Sequence, residues 1–182
     1  MINNIRCKKG VCEKYTLDFN NGLDYAIFMI DDNGMFSCHS SFGNYGYFWS
    51  SFGDNFKEFL CNLRSDYLLT KFSKRDYFNT EEYIEICKNI LIKMRREDEI
   101  NKKEAREAWN FFDKELDECG NSIDLVCDRI AGCNVLDKIT GYDIWYSDFS
   151  PNKSYDPLDE YFVNNIYPEF IKVLKMELDE VN

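Results

Sequence analysis

Tyr25-Ala-Ile-Phe-Met-Ile-Asp-Asp-Asn-Gly-Met-Phe-Ser-Cys-His39 is the stretch that decides how the chain begins to fold. Tyr25–Ile30 is a near-continuous apolar run of strand-forming side chains. Asp32-Asn33-Gly34 supplies hairpin chemistry, because Asn and Gly accept the left-handed conformations of a tight turn. Met35–His39 then alternates apolar and polar residues with the period of a half-buried strand. Outward from this hairpin, Tyr15-Thr-Leu-Asp-Phe19 alternates in the same way. Tyr45-Gly-Tyr-Phe-Trp49 follows a turn expected at Phe42-Gly-Asn-Tyr45. Residues 13–50 therefore read as an antiparallel meander of three to four strands. Tyr45, Tyr47 and Trp49 share one face by the two-residue period and read as core packing.

Beyond residue 54 the apolar period becomes helical. Asp54 is placed to cap a helix through Phe56, Phe59, Leu60 and Leu63, continued after an interruption by Tyr67–Lys71. Asn79-x-x-Glu82 and Asn101-x-x-Glu104 resemble capping boxes. The first opens a helix whose Tyr83, Cys87, Ile90, Leu91 and Met94 share a face. The second opens one with Ala105, Ala108, Trp109, Phe112 and Leu116 at core spacing, stopped by Gly120. Ile123–Ile130 reads as a further helix ending at Gly132. Tyr142-Asp-Ile-Trp-Tyr146 reads as a strand or an ordered loop. Asp156-Pro157 starts the last helix, because Asp caps and Pro fits the first turn. Pro168 should kink or restart that helix, lacking a donor and crowding the carbonyl of Asn164. The fold class expected is α+β: the meander packed against a mostly helical C-terminal part. Length predicts a single domain over residues 1–182, with the sheet at 13–50, helices at 54–131 and the C-terminal helix at 156–181.

The 182 residues carry 22 Lys plus Arg against 33 Asp plus Glu, a net charge of −11. That excess disfavours direct nucleic-acid binding, which needs cations for the phosphates, and anionic membranes as well. No apolar run approaches the ~18–20 residues of a membrane span, and no signal-peptide pattern opens the chain, so a cytoplasmic location is expected. The eight cysteines are sparse, two of them on helix faces, and read as reduced thiols. Their nearest spacings, Cys7-x₄-Cys12 and Cys127-x₅-Cys133, do not match the paired spacing of a zinc site. No metal or cofactor is expected.

Catalytic motifs are scarce. The one histidine, His39, sits on a strand where its neighbour Cys38 points to the opposite face, so the two do not form a nucleophile–base pair. Phosphate-binding loops and the zinc-enzyme histidine motifs are absent. A metal-dependent nuclease could draw on Asp31, Asp32, Glu58, Glu81, Glu82 and Glu85, but nothing in their spacing brings them together around two ions. The expectation is a protein that is not an enzyme.

The placement of the acid says more. Residues 1–50 carry a net charge of −1, residues 51–120 carry −3, and residues 121–182 carry −7. Asp143, Asp148, Asp156, Asp159 and Glu160 have only Lys153 as a basic sequence neighbour, and Glu177, Asp179 and Glu180 follow near the end. Asp113, Asp117 and Glu118 crowd a helix end where acid opposes the dipole. These eleven carboxylates form the candidate surface for a basic partner. The mixed charge at Lys88–Glu107 reads as pairing within the chain, and it also leaves a homodimer open.

His39-Ser-Ser-Phe-Gly-Asn-Tyr-Gly-Tyr-Phe-Trp49, followed by Phe56–Leu60, Tyr67–Lys71, Lys103–Trp109 and Ile166–Phe170, resembles a family of uncharacterised bacteriophage proteins over roughly residues 25–178. In size and acidity the chain is also similar in kind to type II anti-CRISPR proteins, which inhibit Cas9. The resemblance implies a protein that evades host defence. It would bind Cas9 or the Cas9–guide RNA complex in the bacterial cytoplasm and block DNA binding or cleavage. The alternative is a non-enzymatic phage accessory protein directed at another host or phage protein.

Overall fold

The computed structural model describes residues 7–19 and 22–181. An antiparallel sheet is followed by helices, the α+β class expected. Four strands, β1 (Glu13–Asp18), β2 (Tyr25–Ile30), β3 (Met35–Ser40) and β4 (Gly43–Phe48), pair in the order β1-β2-β3-β4. The chain divides into two compact units, one of residues 1–74 with 155–182 and the other of residues 75–154. Each has its own apolar core.

In the first unit the hairpin is fixed at its turn. The Asp31 carboxylate accepts from the N–H groups of Asn33 and Met35, both at 2.9 Å. Gly34 has φ +95°, and a Cβ there would lie 2.0 Å from the Trp49 carbonyl oxygen, so only glycine fits. Register places Phe28 opposite both Tyr15 and Cys38, and Cys38 opposite Tyr45. One face of the sheet thus carries Ala26, Phe28, Ile30, Phe36, Cys38 and Tyr45, all buried. Pairing between β3 and β4 begins at Ser40–Gly43. The turn is therefore Ser41–Phe42, ahead of the expected position, held by the Ser40 hydroxyl donating to the Gly43 carbonyl at 2.9 Å.

Helices cover the buried face. α1 (Phe56–Cys61) is capped by Asn55, one residue after the Asp54 expected, whose side chain accepts from Lys57 and Glu58. α2 (Ser65–Phe72) follows, and its Tyr67 hydroxyl accepts from the Trp49 indole at 3.0 Å. α7 (Pro157–Tyr161), a π-helical turn (Phe162–Ile166) and α8 (Tyr167–Val181) form the last helical run. Phe170 stacks on Phe28 with ring centroids 4.1 Å apart, and Phe162 on Tyr45 at 3.8 Å. Such stacked pairs each add about 0.5–1.5 kcal/mol beyond their buried area. The π-turn explains how the helix tolerates Pro168. The Tyr167 N–H reaches back to the Phe162 carbonyl, a five-residue step that widens the helix just before the proline ring arrives.

The second unit is helical: α3 (Thr80–Arg96), α4 (Lys102–Glu115), α5 (Ile123–Ala131) and α6 (Asn134–Ile139), with 3₁₀ turns at Asp117–Cys119 and Ile144–Tyr146. Asn101 and Glu104 make the full capping box, whereas Asn79 makes only the side-chain half. Tyr83, Leu91, Phe112, Ile130 and Leu136 fill the core, and the buried Tyr83 hydroxyl donates to the Phe149 carbonyl at 2.6 Å. Tyr77 and Ser154 exchange two backbone hydrogen bonds, of 3.2 and 2.9 Å, so the unit begins and ends on a paired bridge. Residues 142–146, expected as strand or ordered loop, form a loop wound into a 3₁₀ turn.

Candidate functional site

The segment Tyr142–Phe149 joins rigid support to exposed rings. α6 is capped by Thr140, whose hydroxyl donates to the Leu136 carbonyl at 2.9 Å. The next two residues, Gly141 (φ +65°) and Tyr142 (φ +66°), are both left-handed. For an aromatic residue this is an uncommon and costly conformation. Ile144 and Phe149 then anchor the segment in the core at 3% and 2% exposure. Ser147 closes it: its hydroxyl donates to the Ile144 carbonyl at 2.7 Å and accepts from the Phe149 N–H at 3.2 Å. Held between these anchors, Tyr142, Trp145 and Tyr146 are 76%, 46% and 91% exposed. Asp143 and Asp148 flank them, also exposed. Apolar ring surface left in water is unfavourable by about 25 cal/mol per Å². Tyr and Trp are also the residues on which protein interfaces most often concentrate their energy.

The other candidate carboxylates separate into two kinds. Four have work inside the fold. Asp156 caps α7 through the Leu158 N–H at 2.8 Å. Asp159 accepts from the Tyr45 hydroxyl at 3.0 Å and from the Ser73 hydroxyl. Burial and this carboxylate hold the Tyr45 phenol above its ordinary range. Glu177 pairs with Lys57 at 2.8 Å and accepts from Tyr15 at 2.9 Å. Asp113 pairs with Lys88, whose ammonium also lies 5.0 Å from the centre of the Trp109 ring. Asp117, Glu118, Glu160, Asp179 and Glu180 are exposed. Glu160, Asp179 and Glu180 belong to the first unit, with Asp156, Asp159 and Glu177. Asp113, Asp117, Glu118, Asp143 and Asp148 belong to the second. Sequence reasoning found Asp143 and Asp148 but named none of the three rings beside them. The signal was available in Tyr142–Asp148, where aromatic and acidic residues mix outside any helical period.

The groups weighed for catalysis lie as follows. Cys38 is buried, and burial pushes its thiol up to about 12. His39 is on the open face, where Nε2 is hydrogen-bonded to the Tyr25 hydroxyl at 3.0 Å and Nδ1 to the Asn44 side-chain oxygen. Asp31 and Asp32 line a recess of about 360 Å³ with Glu13 and Asp54 in the first unit. Glu81, Glu82 and Glu85 belong to the second unit. Among the described residues, no group of three or more His, Cys, Asp or Glu side chains is arranged to hold a metal ion. All eight cysteines are free thiols.

No helix among the described residues is long and apolar enough to cross a membrane. No curated protein and no solved structure matches the chain. One family model does match, across residues 5–176 and therefore through both units. The chain belongs to that phage family, Phage_phiTE_072.

Proposed function

We propose that this phage protein is a non-enzymatic accessory protein that binds a basic host protein through the acidic, aromatic turn Tyr142–Asp148. The observation carrying this reading is the exposure of Tyr142, Trp145 and Tyr146 on a turn that the buried Ile144 and Phe149 anchor and Ser147 closes. A turn anchored and hydrogen-bonded in this way has less conformational freedom to lose on docking, so more of the burial of its rings is realised as affinity. The charge of −11 favours encounter with a positive surface and directs it. Nucleic-acid enzymes offer such surfaces in their phosphate-binding channels. The partner we infer is a Cas9-type RNA-guided nuclease, alone or with its guide RNA, in the host cytoplasm. Carboxylates there would take the place of phosphates and block DNA binding or cleavage.

The test is a cleavage assay with purified Cas9 orthologues and a molar excess of this protein. The expected result is inhibition by the wild-type chain and at least a tenfold weaker effect from the Tyr142→Ala/Trp145→Ala/Tyr146→Ala variant. Unchanged cleavage across several orthologues removes the nuclease from the reading. Equal behaviour of the variant and the wild type removes the turn.

A further inference from the structure

Beside the turn, within the same unit, lies a recess of about 340 Å³. Its apolar lining comes from Ile90 and Met94 of α3, Ile139 at the end of α6, and Phe149. Its polar lining holds three carboxylates, Glu97, Glu99 and Asp148, against one cation, Lys93. Tyr146, a residue 91% exposed, also lines it.

Two of those carboxylates stand where a helix does not favour them. Glu97 and Glu99 follow the last turn of α3, at the negative end of its dipole. The backbone there is fixed by the helix ending itself. The Glu99 N–H returns to the Met94 carbonyl at 3.0 Å across a left-handed Asp98 (φ +57°). Arg95 is already engaged with Asp98 at 3.3 Å and with the Ile100 carbonyl at 3.0 Å. The Arg95 guanidinium is thus taken by Asp98 and the Ile100 carbonyl.

The geometry points to a socket for one arginine side chain of a basic partner, an inference that rests on the protein-binding reading above. The apolar lining suits the three-carbon stem of arginine, which packs on such surface while its head stays polar. The planar guanidinium presents paired donors to carboxylates, and Tyr146 offers it a ring face. Lysine carries the same charge on a compact, strongly hydrated ammonium, so it gains less from both the paired acceptors and the ring. A cleft of this volume lies near the lower end of the ~300–1,000 Å³ usual for ligand sites, enough for one long side chain.

The experiment is an NMR titration of the full chain with three blocked amino acids: N-acetyl-arginine amide, N-acetyl-lysine amide and N-acetyl-citrulline amide. Citrulline keeps the shape of arginine and removes its charge. Saturable shifts are expected at the Glu97, Glu99, Tyr146 and Asp148 amides with arginine, at least threefold weaker binding with lysine, and none with citrulline. The Glu97→Gln/Glu99→Gln/Asp148→Asn variant should bind the arginine probe at least tenfold more weakly, with its other resonances in place. The socket is overturned by an equal response to citrulline, or by non-saturating shifts scattered over the chain's acidic residues. Failure of the wider reading looks different. The wild-type chain would still bind arginine, while it left cleavage unchanged across the orthologues or the triple-alanine turn variant inhibited as well as the wild type.

Discussion

Asp159 shows how a surface carboxylate becomes part of a fold. In sequence it is one of a run of acids with little base nearby, and Tyr45 and Ser73 are far from it along the chain. Only packing of α7 near β4 and α2 brings their hydroxyls onto it. Asp159→Ala should therefore destabilise the protein by about 1–3 kcal/mol, the cost of losing two hydrogen bonds to a charged acceptor, with only the Phe42 and Lys74 carbonyls left to the Tyr45 and Ser73 hydroxyls. Glu160→Ala, one position along and exposed, should stay within about 0.5 kcal/mol of wild type. Urea unfolding of the two variants measures the contrast, and equal losses would deny Asp159 its internal role. Charge reversal at Asp159 consequently confounds stability with binding, whereas Asp143 and Asp148 carry no such burden. The same separation explains why Tyr142, Trp145 and Tyr146 were not legible as a site. Aromatic residues normally read as core, and only the buried Ile144 and Phe149 around them reveal that these three face water.

Elements announced themselves in proportion to how local their causes are. The β2–β3 hairpin rests on Asp31–Gly34 and on side chains at fixed offsets, so sequence and structure agree there. The capping box at Asn101 and Glu104 is equally local, with the Asn101 N–H donating to Glu104 at 2.9 Å. Asn101→Ala should cost about 1 kcal/mol, seen as a lower urea midpoint with an unchanged slope. A neutral result would mean that α4 is held by packing alone. The π-turn at Phe162–Ile166 was not legible, because Pro168 announces a conflict but does not specify its resolution. The resolution depends on Phe162 and Phe170 both reaching the sheet, which places rings on Tyr45 and Phe28 along one helical run. The β3–β4 turn moved for a related reason. Pairing extends as far as Ser40–Gly43 because the Ser40 hydroxyl closes it there, a contact that no periodicity reports.

At the level of the molecule, the second unit lies between two parts of the first along the chain, and its ends meet at Tyr77 and Ser154. Its core, from Phe78 to Phe149, is drawn entirely from its own residues. A fragment of residues 75–154 should therefore fold alone, giving a helical circular dichroism spectrum and a cooperative urea transition. A fragment without such a transition would show that its core depends on the remainder of the chain. The first unit has no comparable continuity, since its sheet, α1 and α2 precede the second unit in sequence, whereas α7 and α8 follow it.

That discontinuity has a consequence in time as well as in space. A ribosome releases β1–β4 first, then α1 and α2, then the whole of the second unit, and only afterwards the residues that carry Phe162 and Phe170. At translation rates of about 5–20 residues per second, Phe36 can meet Trp49 and Phe72 early, whereas Phe28 waits several seconds for Phe162 and Phe170. The second unit can complete its core during that interval. The nascent sheet is therefore the point at which a growing chain is most open to chaperones, to proteases and to pairing with its neighbours.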